Sequence, residues 1–564
     1  MRTIFCLLLL TIAHHLVPSG TSVTGAWVHT IQAVGGGSAG SVAVLPDGRV
    51  CTVGSFSGSI DLVPETEEGW FTSQGQLDIY LQLLDDTGAP LWSFTIGGTG
   101  FDQAWDLEVT PEGIYVAGYF SGSVDFDPGP DAFLLQSVGN LDIFLALFSA
   151  EGELRWAKTI GGENVEIPYD LELDLEENIF LTGYFADTVD FDPGPDVELR
   201  TSVGLADVFV CKLDASGAFQ WVKTFGGAGS DEGSKVTAAV DGSLYLTGWY
   251  TDEVDVDPEL EWAQMSSEGG TDAFVLKMSS NGELLWLRSL GGRLDDKVVD
   301  AAIGPEGNAS LLVTFADTLS IATANGPSQI VSTGSDDVLV TKIDPDGQFL
   351  WTNTMGGTGF EQATGMAIGP QGEIYTTGFY RNTLIVPVDT SLAILPSAGG
   401  WDMYVQKIAA DGRTIWATSF GSTAADQSRD ISTDDSGYLY LIGDYYGSLT
   451  FGTAEGTINN EEGTGIFLLK QRGEELIVST NYDRFSEIIS VFPNPSSDVF
   501  QVRFSQLQDQ VQLQVFDSNL QTLRTENHAQ VDSINLNMGG YPSGVYFLLL
   551  QSGRRKEVHR LLLL

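Results

Sequence analysis

From about residue 26 to the end of the chain, apolar and polar residues alternate in short runs, most of them bounded by glycine. AWDLEVTPEG and GIYVAGYF (residues 104–120) read as two strands about a turn at Pro111–Gly113. LDIFLALFSAEG (residues 141–152) follows, turns at Glu151-Gly152 and runs into ELRWAKTI. A period of two interrupted by glycine-bearing turns predicts four antiparallel strands in this stretch.

The stretch is one copy of a repeat. Trp27, Trp92, Trp156, Trp221, Trp286, Trp351 and Trp416 are spaced by 65, 64, 65, 65, 65 and 65 residues. Most open a similar phrase, as in LWSFTIGGTG, RWAKTIGGEN and LWTNTMGGTG, whereas the first and last are looser. Seven units of four strands predict a seven-bladed β-propeller, because radial stacking hides both faces of every blade. The last unit ends in GIFLLKQRG with no tryptophan strand after it, and the strand around Trp27 has no blade before it. Residues 26–31 are therefore expected to pair with residues 465–470, closing the ring and protecting both edges. The W…GG…G-Y-F…D-x-F-x-x-K pattern resembles the seven-bladed repeats known as SBBP in secreted bacterial proteins. The resemblance implies a fold and export, and no particular activity.

Residues 489–564 have a different texture. ISVFPNPSSDVFQVRF, VQLQVFDSNLQTL and the segment from Ile534 onward alternate at short spacing, which predicts a small Ig-like β-sandwich. Pro493-Asn494-Pro495, the VFD of residues 515–517, Gly544-Val545-Tyr546 and a basic, apolar last strand resemble the C-terminal sorting domain of the type IX secretion system of Bacteroidota. Asn519-Leu520, where that family usually has a glycine, and the Leu561–Leu564 ending depart from its pattern. The resemblance implies passage across the outer membrane with the type IX machinery as partner, then removal of the tail or its use as an anchor. The protein is thus expected to be secreted or held at the cell surface.

The start of the chain reads as a signal peptide over residues 1–24, with Arg2 ahead of an apolar run (IFCLLLLTIA) too short to span a bilayer. The propeller then covers 25–480, and 481–488 form a linker. No other run is long enough for an integral membrane segment. Net charge is −50, from 76 acidic and 26 basic residues. The last 82 residues hold 8 acidic and 7 basic ones, so the excess lies in the repeats. Such a surface repels nucleic acid and favours cations. Beyond the signal, Cys51 and Cys211 fall in non-neighbouring units and read as small core residues, not as a disulfide.

Catalytic chemistry is sparse. The histidines beyond the signal are His29, His528 and His559, one of them in the repeats, which argues against a Ser-His-Asp site or a histidine-ligated zinc. GGTGFDQAW (residues 97–105) fits a calcium nonapeptide but lacks the tandem repetition that motif needs, so it reads as an inter-blade turn. The aromatic pairs Tyr119-Phe120, Tyr184-Phe185, Trp249-Tyr250, Phe379-Tyr380 and Tyr445-Tyr446 recur at unit spacing. Strand neighbours face opposite sides, so one ring of each should pack between blades while the other is free to line a carbohydrate platform. VDFDPGPD occurs identically at 124–131 and 189–196, with VDVDPELE at 254–261. Proline and glycine there shape a turn. Alternatively, the pairs Asp125 and Asp127, Asp190 and Asp192, and Asp255 and Asp257 are candidate calcium ligands, each pair on one side of its strand. The combined reading is an exported scaffold for a glycan or protein ligand; the alternative is a secreted carbohydrate-active enzyme using carboxylates on the propeller face.

Overall fold

The computed structural model describes residues 26–473 and 490–564, apart from 65, 67, 68, 324, 325, 389, 390, 452–455, 461, 462, 493, 495, 518–521, 553 and 554. The expected signal peptide and the 481–488 linker lie outside the described residues, as do Pro493, Pro495, Asn519 and Leu520. Among the described residues there is no α-helix, and the strands form many small antiparallel sheets.

One unit shows the plan. Strands Gln103–Thr110, Gly113–Phe120, Asp142–Phe148 and Leu154–Gly162 pair antiparallel in chain order. The same order recurs in Glu166–Leu173, Ile179–Phe185, Asp207–Leu213 and Phe219–Phe225. It recurs again in the sets that begin at Glu232–Ala238, Asp296–Ile303 and Glu361–Ile368. The final set, Gln427–Thr433, Tyr438–Tyr445 and Thr464–Arg472, has three strands of its own. Its fourth comes from the opposite end of the repeats. The early half of Trp27–Val44 pairs with Thr464–Arg472, from Trp27↔Lys470 to Ala33↔Thr464, and the later half starts the first set against Val50–Asp61. The closure expected from the strand count is therefore formed.

The units also carry a two-stranded ribbon between their second and third strands that the sequence pattern did not announce. It is Ser123–Asp125 with Leu134–Gln136 in the second unit and Thr188–Asp190 with Leu199–Thr201 in the third. Thr383–Val388 with Ser391–Pro396 forms it in the sixth.

The Gly-Gly step has a steric cause. A Cβ built on Gly97, Gly161, Gly226, Gly291, Gly356 or Gly421 would lie 2.0–2.4 Å from a carboxyl atom of Asp78, Asp142, Asp207, Asp272, Asp337 or Asp402 respectively. The last set inverts the arrangement. Gly465 stands at the aspartate position, and Gln32 takes the place of the glycine opposite it. A side chain is tolerated there because no carboxyl fills the space. A second buried acid sits at each of these six junctions: Asp102, Glu166, Asp231, Asp296, Glu361 and Asp426. These accept amides of the connecting turn, such as Gly98 N to Asp102 Oδ2 at 2.7 Å and Gly357 N to Glu361 Oε2 at 3.1 Å. Burying a carboxyl without such donors would cost several kcal/mol, so the turn amides and the acids stabilise each other.

Elsewhere the core between sheets is apolar and aromatic, with Tyr80, Tyr250, Tyr380, Phe56 and Phe120 fully buried. Cys51 and Cys211 are free and buried, and burial pushes both thiols up, beyond reactive range. The tail is a separate antiparallel set: Ser490–Phe492, Val499–Phe516, Gly544–Ser552 and Arg555–Leu563 in order, with Thr522–Asn537 also on Val499–Phe516. Its own core includes Phe500, Val515, Leu548 and Leu561.

Candidate functional site

The first strands of all seven sets line a single cavity of about 790 Å³. Each first strand steps out of register once, between Ala39 and Val42, Ala104 and Asp106, Pro168 and Asp170, Gly233 and Lys235, Val298 and Asp300, Ala363 and Gly365, and Ser428 and Asp430. Such a bulge turns an extra residue toward the cavity and bends the strand. The residues at and just after the irregularities recur at unit spacing: Ser41, Asp106, Asp170, Lys235, Asp300, Gly365 and Asp430.

Four of these are aspartates that join neighbouring first strands. Asp106 accepts the Leu171 amide at 3.1 Å, Asp170 that of Val236 at 2.8 Å, Asp300 that of Met366 at 2.7 Å and Asp430 that of Val42 at 2.9 Å. Lys235 Nζ donates to Asp170 and lies 3.8 Å from Asp106. Burial alone would lower this lysine; Asp170 and Asp106 outweigh it and hold the ammonium charged well above its ordinary range. Carboxyls outnumber cations here. Burial pushes Asp430 and Glu172 up to about 7; Glu108 rises through burial and then the charges of Glu172 and Asp106, and Asp170 rises through burial against the opposing charge of Lys235. Glu108 and Glu172, two residues beyond Asp106 and Asp170, also lie on the cavity wall.

One sector of the cavity is aromatic. Trp105 meets Tyr169 edge-on at 5.2 Å, and Tyr169 meets Tyr184 at 5.7 Å and Trp249 at 6.0 Å. Tyr169 donates its hydroxyl to Glu232 at 2.9 Å, and Tyr119 donates to Gln103 at 2.7 Å. Lys297 Nζ sits 4.4 Å from the Trp249 ring centre, a cation–π contact. Trp105 is 37% exposed, and Tyr169, Tyr184 and Trp249 are partly exposed.

The aromatic pairs divide much as strand alternation predicts. Phe120, Phe185, Tyr250, Tyr380 and Tyr445 are completely buried, and Tyr119, Tyr184 and Trp249 are the partly open partners. Two of the pairs differ. Phe379 is buried and stacked on Trp401 at 4.6 Å. Tyr445 pairs with Gly465 as Phe120 pairs with Asp142, so it holds the inner place, and Asp444 stands where Tyr119 does. Tyr446 is exposed beyond the strand.

The octapeptide lies in the ribbons. Asp125 Oδ1 accepts the amides of Asp127 at 3.2 Å and Phe133 at 2.8 Å, and Asp127 Oδ1 accepts that of Gly129 at 2.7 Å. Asp190 and Asp192 repeat this with Asp192, Glu198 and Gly194 as donors, at 3.2, 2.8 and 2.7 Å. In the third copy Asp257 accepts from Glu259 at 3.0 Å and Asp255 from Gln264 Nε2 at 3.4 Å. Between the aspartates, Phe126 and Phe191 are buried against Phe120 and Phe185. These carboxylates organise their own turns in Asx fashion. Among the described residues no group of three or more His, Cys, Asp or Glu side chains is placed to hold a metal.

Comparison with known proteins identifies the tail. Residues 490–563 match the secretion system C-terminal sorting domain, the type IX signal, so the chain is exported and either secreted or attached at the cell surface. The chain is similar to regulatory protein FlaEY of Caulobacter vibrioides, 28% identical over 296 residues, covering 50% of this chain and 30% of that protein. It is also similar to an uncharacterized WD repeat-containing protein, L264, of Acanthamoeba polyphaga mimivirus, 23% identical over 482 residues, covering 71% of this chain and 34% of that protein. The chain thus spans about a third of the length of the curated relatives it matches. A fungal alcohol oxidase of the AA5 family aligns over 95% of this chain and 98% of its own, with 11% identity and a TM-score of 0.33, too slight a likeness to build on. No helix among the described residues is long and apolar enough to cross a membrane.

Proposed function

We propose that residues 25–480 form a seven-bladed propeller of the SBBP kind, exported by its sorting tail, that binds a glycan at the aromatic sector of the axial cavity. The seven-fold recurrence of first strands around one cavity and the N-terminal closing strand support the blade count. The observation that carries the ligand reading is the partly exposed Trp105–Tyr169–Trp249 cluster on the cavity wall, beside Gln103 and Glu232. Flat aromatic faces bind the apolar faces of sugar rings, and neighbouring amide and carboxylate groups take their hydroxyls. A glycan array probed with the exported protein tests this: retention lost in Trp105→Ala and Trp249→Ala, with folding intact, is the expected result. Equal retention by both variants would reject the site.

A second reading, a carbohydrate-active enzyme, is favoured by Glu108 and Glu172 on the same wall, both held protonated to higher pH by burial. A carboxylic acid next to a carboxylate is the equipment of glycoside hydrolysis. Release of reducing ends from a bound polysaccharide, abolished in Glu172→Gln, would select this reading. The partner of the tail is the type IX machinery. Truncation after residue 482 should leave a folded body in the periplasm of a host that has this system.

A further inference from the structure

The sixth unit breaks the chemistry of the ribbons, and it does so where the tail touches the repeats. Unit by unit, the outward position of the ribbon's first strand is Asp125, Asp190, Asp255, Ser320, Ile385 and Thr450. Its cross-strand partners are Leu134, Leu199, Gln264, Gln329, Ile394 and Thr457. Inward-facing neighbours such as Val124, Val189, Val254 and Leu384 are buried in every case. In the sixth unit alone among these, both outward partners are aliphatic.

Ile385, Leu392 and Ile394 are nonetheless only 7–8% exposed, because they are covered by Phe516, Phe547 and Leu549 of the sorting domain. The tail shows the matching anomaly. Strand Gly544–Ser552 is apolar on both faces: Tyr546, Leu548 and Leu550 build the tail's own core, and Phe547 and Leu549 point the other way. A strand apolar on both faces needs cover on both. Two independent departures from pattern, one in each part of the chain, thus meet at one contact.

We propose that the ribbon of Thr383–Val388 and Ser391–Pro396 is a dedicated dock for the chain's own sorting domain, and that it shields the second apolar face of strand Gly544–Ser552 until the tail is taken up for export. Once the tail leaves, the same ribbon presents an aliphatic patch where the second to fourth units present aspartate. The contact is intramolecular, so its effective concentration is high and a small area suffices to hold it.

The test grafts the fourth unit's pair into the sixth, Ile385→Asp with Ile394→Gln, in the full-length protein. Loss of buried aliphatic contact should raise hydrogen exchange along residues 544–552 by about tenfold. Small-angle scattering should show a larger radius of gyration, and an apolar dye should gain fluorescence, while the melting of the repeats is unchanged. Leu549→Asp, made from the tail side, should give the same three changes and guards against a fold-specific failure of the first variant. Wild type and both variants with the same radius and the same exchange would overturn the proposal. So would a wild-type scattering profile that already shows the tail apart from the body.

Discussion

Asp337 and Glu361 meet carboxyl to carboxyl at the junction of the fifth and sixth units, and both residues are buried. Turn amides hold the outer oxygens, Thr333 N to Asp337 and Gly357 N to Glu361, and an oxygen of each is left without a backbone donor. Burial first, then the charge of Asp337 and of nearby Asp336, pushes Glu361 up to about 9; burial likewise lifts Asp337 to about 6. Such a pair holds one proton between its members near neutrality.

The pH dependence of stability follows from the sign of these shifts. The folded chain keeps a proton that the unfolded chain releases near pH 4.5, so the stabilisation is complete below that pH and is lost as pH rises to about 9. Glu166 and Asp296, lifted by burial to about 8, act in the same direction. Melting temperature should therefore fall steadily from pH 5 to pH 9. Glu361→Gln should flatten part of that slope; a variant with the wild-type slope would show that the pair does not titrate in this range.

Steric occupation by the junction acids predicts which glycines are replaceable. Gly356→Ala places a Cβ 2.0 Å from the Asp337 carboxyl and should destabilise by about 3 kcal/mol. Gly437→Ala meets nothing within 4 Å and suffers only from its φ of +79°, a penalty of about 1 kcal/mol. Denaturant melts of the two variants give the comparison directly.

Lys235 is the cation of the axial ring, and its removal strands the buried Asp170. Lys235→Met should lower stability by about 1–3 kcal/mol, the cost of leaving a buried polar group without its partner, because burial then favours the protonated form of Asp170. Adding Asp170→Asn should recover part of the loss, because an amide then replaces the acid that Lys235 had paired. Strict additivity of the two substitutions would contradict the coupling.

The octapeptide gives a calcium test. With Asp125 and Asp127 accepting backbone amides, Asp125→Asn with Asp127→Asn should lower melting slightly and to the same extent in calcium or chelator. Calcium held at the ribbons would instead stabilise the wild type by about 2.7 kcal/mol at a hundredfold excess over its dissociation constant. That gain, abolished in the double variant, would assign the ion.

Much of the strand plan could be read from the sequence because the signals are periodic: alternation gave the four-stranded sets, and the tryptophan spacing gave the copies and the closing pair. Most of the ribbons escaped because three residues, such as SVD or LLQ, are too few to show a period. The aromatic frame slipped at Tyr445 because Asp444 interrupts the pattern that Tyr119 and Tyr184 set. The axial ring left a trace that spacing could have caught, since Asp106, Asp170, Asp300 and Asp430 keep unit register with Lys235. Among 76 acids, residue type alone could not distinguish these from solvated ones. The junction pairs were hidden for the same reason, and their partners are glycines and backbone amides that carry no chemical label.

The pairing of Trp27–Ala33 with residues 464–470 also sets an order of events. Among the described residues, the earliest strand of the repeats must wait for Thr464–Arg472, the latest of them, and until then two sheet edges stay open to other chains. Joining ends so far apart in sequence is slow, because the entropy of the long loop is lost before any contact rewards it. A chain interrupted before residue 464 lacks the partner strand that this closure needs.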